Sequence, residues 1–224
     1  MISSMLFGDF NLQEYIISLI LSLPIALIAL SVHETAHGFV AYKLGDPTAY
    51  NYGRLSLNPI NHFDPIGFIC MVLLGFGWAK PVPINTAYFK KPKRDMALTA
   101  LAGPVSNILL AFLFAILLRI NAEVLIRAGL TGFAGQALYW LYLLLYRGVV
   151  MNVWLAVFNL IPVPPFDGSR LLLAFLPSRI YFKLMKYERI TYIVLMVLLF
   201  FGVLSAPLNF ISDLVLDLIF LITF

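Results

Sequence analysis

Intervals without a charged side chain, at residues 15–32, 65–79, 96–118, 128–146, 148–166 and 190–212, recur along the whole of this 224-residue chain. A helix crosses the hydrocarbon core of a bilayer with about 20 apolar residues. The chain is therefore expected to fold as an all-α polytopic membrane protein with about four to six transmembrane helices. The runs leave no long polar stretch for a soluble module, so a single membrane domain over residues 1–224 is expected. With 62% hydrophobic and 12% charged residues, the chain lies outside the range of soluble domains.

The net charge of +4 sits in short clusters between apolar runs, as membrane orientation signals do. No nucleic-acid partner is expected; the lipid bilayer is the first partner. Cys70 is the one cysteine, which excludes an internal disulfide and cysteine-rich metal sites, and it reads as a small core residue. The first fifteen residues contain Asp9 and Glu14 and no basic region, so no removable signal peptide is expected.

The first helix is expected from about Glu14 to Leu44, stopped by Gly45-Asp46-Pro47 and kinked at Pro24. The polar stretch that follows contains "NYGRLSLNP", residues 51–59, which alternates enough for a short β-hairpin. Residues 66–78 are apolar, contain Gly67, Gly75 and Gly77, and are too short to span, so a re-entrant or interfacial element is expected.

Two basic regions, "KKPKR" at 90–94 and "SRIYFKLMKYER" at 178–189, share the cytoplasmic side if an even number of crossings separates them. One crossing is expected over about 96–119. The other lies within 135–162 and is placed mainly at 149–161, because Arg147 beside Tyr139, Trp140, Tyr142 and Tyr146 reads as an interface belt. A further run begins at Ile190. Residues 207–224, with Asp213 and Asp217 on one helical face, read as a last span or a surface amphipathic helix.

At the end of the first apolar run stands "SVHETAHGFV", with two of the chain's three histidines. His33-Glu34-Thr35-Ala36-His37 is H-E-x-x-H, and i, i+4 spacing puts both imidazoles on one helix face, where they can reach one ion. Zinc accepts imidazole and carboxylate ligands and leaves a fourth position for water, whose pKa it lowers to about 7. Glu34, beside the first ligand, is then the general base that takes the water proton and returns it to the leaving amine. Two histidines satisfied by neighbouring carbonyls are the structural alternative. Ionisable groups inside a membrane cost at least about 2.5 kcal/mol and tend to mark function, which favours the metal.

A third protein ligand is required, and the candidates are a carboxylate or His62. Asp167 lies in "NLIPVPPFDGSRLL", residues 159–172, where Pro162, Pro164 and Pro165 break the helix and Gly168 permits a tight turn. Broken backbone at membrane depth is tolerated where it is buried in protein or lines a wet cavity. Asp167 could instead cap the helix that follows it. His62, in "NPINHFDP", fits a turn or interface role better than a ligand role.

With H-E-x-x-H, "ALAGPVSN" and "NLIPVPPFDG" in this order and spacing over at least residues 31–176, the chain resembles the site-2 protease family of intramembrane zinc metallopeptidases, in particular its compact prokaryotic branch without a PDZ domain. The resemblance implies one zinc ion per chain on His33, His37 and Asp167, with Glu34 activating water. It implies that Asn159 faces the active site and, more loosely, that Asn107 is a polar partner near it. Either asparagine could donate to the developing oxyanion or pin a substrate backbone, or act as interhelical glue.

The implied activity is hydrolysis of transmembrane or membrane-associated protein substrates, as in regulated intramembrane proteolysis, in a prokaryotic cell membrane. Because a helical amide is shielded and its carbonyl already bonded, the substrate must unwind locally. "FGWAKPVP", residues 76–83, reads as a lid, an edge for substrate, or a plain loop, and an extended substrate could also add to a strand near residues 51–57. His33 is about ten residues before Lys43, roughly 15 Å along the helix, which puts the site in the cytoplasmic half of the bilayer. The rival reading is a membrane metal-binding or metal-transport protein, which has no need of Glu34 as a base.

Overall fold

The computed structural model describes residues 11–74, 77–129, 131–177, 179–180 and 186–224. The expectations for the extreme N-terminus, for residues 75–76 of the short apolar element and for half of the second basic region fall outside these residues.

Helix α1, Leu12–Lys43, begins where the Asn11 side chain accepts hydrogen bonds from the Gln13 and Glu14 amides and runs through Pro24 without interruption. Leu44 caps its end, and Gly45 at φ +109° turns the chain away. At 32 residues it is about 48 Å long, more than a bilayer core requires.

The expected hairpin does not form, and no strand occurs among the described residues. Thr48–Asn51 is a short helix, α2, and the chain then runs irregularly to a 3-10 turn at Pro59–His62. Arg54, whose alternation with Leu55 suggested a strand, is buried and donates from Nη2 to the carbonyls of Lys80 (2.5 Å) and Pro81 (3.2 Å). Its side chain ties two loops together, so the backbone around it has no strand partner.

Helix α3, Pro65–Leu74, is ten residues long, about half the thickness of the hydrocarbon core. From residue 77 the chain returns as an extended strap. Lys80 N–H donates to the His62 carbonyl (2.9 Å), and Asn85 N–H to Asp46 (2.7 Å) at the end of α1. The chain thus comes back to the end of α1 that it left, as a re-entrant element must. Gly67 and Gly77 make this possible: a Cβ on Gly67 would lie 2.1 Å from the Trp78 carbonyl oxygen, and one on Gly77 2.2 Å from that of Gly67.

Helix α4, Pro92–Ala128, and helix α5, Gly132–Asn159, are joined through Gly129 (φ +53°) and Gly132 (φ +68°). Small residues Ala111 and Ala115 of α4 let Leu145, Val149 and Val153 of α5 pack closely, with Leu118, Leu208 and Ile219 completing the cluster. The second crossing falls within α5, which is one continuous helix over all of 132–159. The helix runs on through Arg147, whose Nη1 donates to Ser18 Oγ and Ser22 Oγ of α1, each at 2.8 Å.

After a short helix α6, Asp167–Leu171, and a 3-10 turn at Leu172–Ala174, the last long charge-free run is split. Helix α7, Glu188–Phe200, stops at a turn containing Gly202 (φ +71°), and helix α8 takes up Ser205–Thr223. The chain is an all-α polytopic membrane protein: α1, α4, α5 and α8 are long and apolar enough to cross a membrane. Helix α8 buries Leu208, Ser212, Ile219 and Thr223 and packs on α4 and α5, leaving Asp213 and Asp217 exposed on its other side.

Candidate metal centre

One side-chain cluster gathers three polar groups from two distant parts of the chain. His33 and His37 leave α1 one turn apart, and Asp167 enters from the first turn of α6; all three are buried. The Nε2 atoms of the histidines are 3.0 Å apart, and each lies 3.1 Å from Asp167 Oδ2.

The other ring nitrogens fix how the imidazoles present themselves. His33 Nδ1 is 2.6 Å from Asn107 Oδ1, and His37 Nδ1 is 2.7 Å from the Thr99 carbonyl. Both oxygens only accept, so each Nδ1 carries a proton and each Nε2 turns a lone pair toward Asp167. Three lone-pair atoms this close repel unless positive charge lies among them, which a proton on one imidazole or a metal ion would provide.

The donor set fits zinc. Tetrahedral zinc with bonds of roughly 2.0–2.1 Å to nitrogen and oxygen separates its ligand atoms by about 3.3 Å, close to the 3.0–3.1 Å observed. Gly103 of α4 supplies a second sign. A Cβ there would sit 2.5 Å from Nε2 of both His33 and His37. Only a residue without a side chain keeps the space beside these atoms open.

Asp167 is held by local backbone. Phe166 occupies the capping position of α6, and Ser169 N–H and Oγ–H both donate to the Phe166 carbonyl (3.0 and 2.7 Å). Asp167 makes no capping bond, so its carboxylate faces the histidines. Gly168 permits this, since a Cβ there would lie 2.3 Å from the Leu160 carbonyl oxygen.

Glu34 is half-buried, and its Oε2 accepts from the Val82 amide at 2.8 Å. The strap that carries Val82 is anchored in turn by His62 and Arg54. "FGWAKPVP" is therefore no free loop over its described residues, 77–83.

The two asparagines differ from each other. Asn107 is buried, and both hydrogens of its amide are engaged, by Asn152 Oδ1 (2.9 Å) and the Ala29 carbonyl (3.2 Å). With both hydrogens engaged and Oδ1 on His33, Asn107 stands beside the cluster as a polar partner of His33. Asn159 is half-buried at the end of α5 and gives one amide hydrogen to the Leu155 carbonyl (2.9 Å), which leaves the other. His62 lies apart from the cluster, with Nε2 donating to the Ser56 carbonyl (2.7 Å).

Asn152, Gly103 and the backbone groups of Thr99 and Val82 belong to this site although the sequence did not single them out. A glycine beside "PVSN" and a second asparagine in an apolar helix were the available signals; backbone donors and acceptors give none.

Comparison with known proteins follows the same line. The profile of Peptidase family M50 matches residues 127–205. The chain is 41% identical over 188 residues, 82% of either chain, to YwhC of Bacillus subtilis, provisionally named a zinc metalloprotease. It is 30% identical over 169 residues, 73% of this chain and 81% of the other, to a protein of Methanocaldococcus jannaschii given the same provisional description. Rip2 of Mycolicibacterium smegmatis, so described as well, is 27% identical over 63% of this chain and 52% of its own length. No solved structure matches the chain.

Proposed function

The chain belongs to peptidase family M50, and from that premise we propose that it is a zinc endopeptidase that cuts transmembrane or membrane-associated protein segments within the bilayer. The observation that carries this is the convergence of His33, His37 and Asp167 beside the open space at Gly103, with Glu34 on the same turn of α1. His33, His37 and Asp167 would hold one zinc ion per chain. Bound there, zinc supplies Lewis-acid polarisation of a carbonyl and makes water acidic enough to ionise near neutral pH.

The chain's own groups do the rest. Glu34 has one carboxylate oxygen fixed by the Val82 amide, and its other oxygen takes a proton from the attacking water as that water's oxygen bonds to the scissile carbon. As the carbon–nitrogen bond breaks, Glu34 returns the proton to the departing amine. Asn107 and the Thr99 carbonyl keep both imidazoles in the tautomer that binds a metal through Nε2. Asn159, through its second amide hydrogen, is the candidate donor to the carbonyl oxygen as charge develops on it.

His33 lies about ten residues before the end of α1, roughly 15 Å along the helix, so the reaction takes place inside the bilayer. With the 90–94 cluster in the cytoplasm, the site lies in the cytoplasmic half of a prokaryotic cell membrane. The substrate must present an unwound stretch, and regulated intramembrane proteolysis is the process this serves. The test is reconstitution in phosphatidylcholine vesicles with a single-span peptide whose middle is destabilised by glycine. Cleavage within the span that stops on chelation and returns with zinc supports the proposal, and an uncut peptide with the protein zinc-loaded refutes it.

A further inference from the structure

Glu34 is held from outside its own helix. Its Oε2 accepts from the Val82 amide (2.8 Å), and the carbonyl of that same peptide group, on Pro81, accepts from Arg54 Nη2 (3.2 Å). A trans peptide is planar and points its N–H and C=O to opposite sides. One rigid unit therefore stands between the guanidinium and the carboxylate. Nη2 gives its other hydrogen to the Lys80 carbonyl (2.5 Å). Since Pro81 and Pro83 have no N–H, Val82 supplies the one backbone donor of residues 81–83.

Packing holds the partners on one face of α1. Gly38 follows Glu34 by one turn on that face, and a Cβ on it would lie 2.7 Å from Leu55 Cδ2 and 3.1 Å from Val82 Cγ1. The residue after Arg54 and the residue that holds Glu34 thus meet on the helix surface beside Glu34. Arg54 itself is 8% exposed, its Nε is buried without a hydrogen-bond partner, and no carboxylate pairs with it among the described residues. A buried cation with no anion in contact is costly. A neutral donor would tie the two loops together without that cost, so the charge calls for a use beyond the tie.

We propose that Arg54 is a positioning residue for the reaction: through the Pro81–Val82 peptide its guanidinium holds the Glu34 carboxylate by Oε2 and leaves the other oxygen to the attacking water. This rests on the peptidase reading and adds to it a residue outside the metal centre. Guanidinium, carbonyl, N–H and carboxylate alternate in sign, so each hydrogen bond of the chain strengthens the next. A bond from a charged donor is about twice as strong as one between neutral groups, and a neutral residue in place of Arg54 would forfeit the difference. Released from Val82, a glutamate side chain has several staggered rotamers open to it. A reacting group misplaced by about 1 Å costs on the order of a hundredfold in rate. The loss falls on kcat, because Arg54 acts on the base and not on the bound peptide.

The experiment uses the full zinc-loaded chain in phosphatidylcholine vesicles with the glycine-destabilised single-span peptide, and reads zinc content, kcat and KM together. Arg54→Met keeps much of the side chain's length and removes its charge and donors. It should bind about one zinc per chain and keep KM within about twofold, while kcat falls about 10- to 100-fold. Arg54→Lys keeps the charge and can donate to the Pro81 carbonyl, though without the fork of the guanidinium, and should recover at least about threefold of that loss. Val82→Pro removes the N–H at the other end of the link. Adding Arg54→Met to it should lower kcat further by less than about twofold, because the link is already broken.

A kcat within about twofold of the wild type in zinc-loaded Arg54→Met would overturn the proposal. So would a loss carried by KM, no recovery in Arg54→Lys, or losses that multiply in the double variant, each of which marks a tie between loops and nothing more. Should Arg54→Met fail to hold zinc, Arg54→Gln, which is neutral but keeps an amide donor for one carbonyl, takes its place in every comparison. Loss of zinc there too would show Arg54 to be structural and overturn the proposal. Failure of the wild-type chain to cut any peptide would instead refute the peptidase reading, and this role with it.

Discussion

His33 Nδ1 lies 2.6 Å from Asn107 Oδ1, and through that contact α1 is locked to α4 at the candidate metal centre. Asn107 is in turn held by Asn152 of α5, whose own amide donates to the Gly148 carbonyl (2.8 Å). One chain of carboxamides across three helices therefore sets the orientation of one proposed ligand.

Outer partners of metal-bound histidines are worth roughly 10- to 100-fold in affinity. Asn107→Ala should weaken zinc binding by that factor while the protein still folds, as measured by competition with a chromophoric chelator in detergent. Asn152→Ala, one step further away, should have a smaller effect in the same direction. Equal zinc affinity in Asn107→Ala and the wild type would show that the contact does not orient His33.

Gly103 gives a sterically simple case. In Gly103→Ala the new methyl group would sit 2.5 Å from both Nε2 atoms, so zinc content should fall well below one per chain. The helical signal in circular dichroism should be retained, because alanine favours helix over glycine by about 1 kcal/mol. A variant that loads zinc normally would contradict the placement of the ion.

Arg147 probes the membrane helices away from this centre. Its Nη1 donates to the Ser18 and Ser22 hydroxyls and to the Ser18 carbonyl; removing both hydroxyls in Ser18→Ala/Ser22→Ala should cost about 1–3 kcal/mol and lower the thermal unfolding midpoint. Arg147→Met, which removes the charge along with its need for partners, should be closer to the wild type than the double variant. The opposite order would show that the serines are incidental to how the arginine is accommodated.

What could be read from the sequence follows from how local each feature is. The relation between His33 and His37 is fixed by helix periodicity, and four membrane-crossing helices follow from uninterrupted apolar runs. Asp167 was legible because prolines and a glycine surround it, though a capping role could be set aside only once Phe166 was seen to occupy the cap. The partners of Arg147 were not legible because they are more than a hundred residues away. The run from Ile190 broke at Gly202, where backbone conformation overrode hydrophobicity. For Asn107 the choice between a substrate donor and interhelical glue stayed open, because a sequence shows an amide but not which of its hydrogens are already used.

The central claim is that His33, His37 and Asp167 hold zinc for hydrolysis with Glu34 as base, and its most direct test is Glu34→Gln measured for zinc content and peptide cleavage in the same preparation. Glutamine keeps the shape and can still accept from Val82 N–H through its carbonyl oxygen, but it cannot take a proton. The expected result is about one zinc per chain, as in the wild type, with cleavage reduced at least about a hundredfold. Wild-type cleavage by Glu34→Gln with zinc bound would contradict the account.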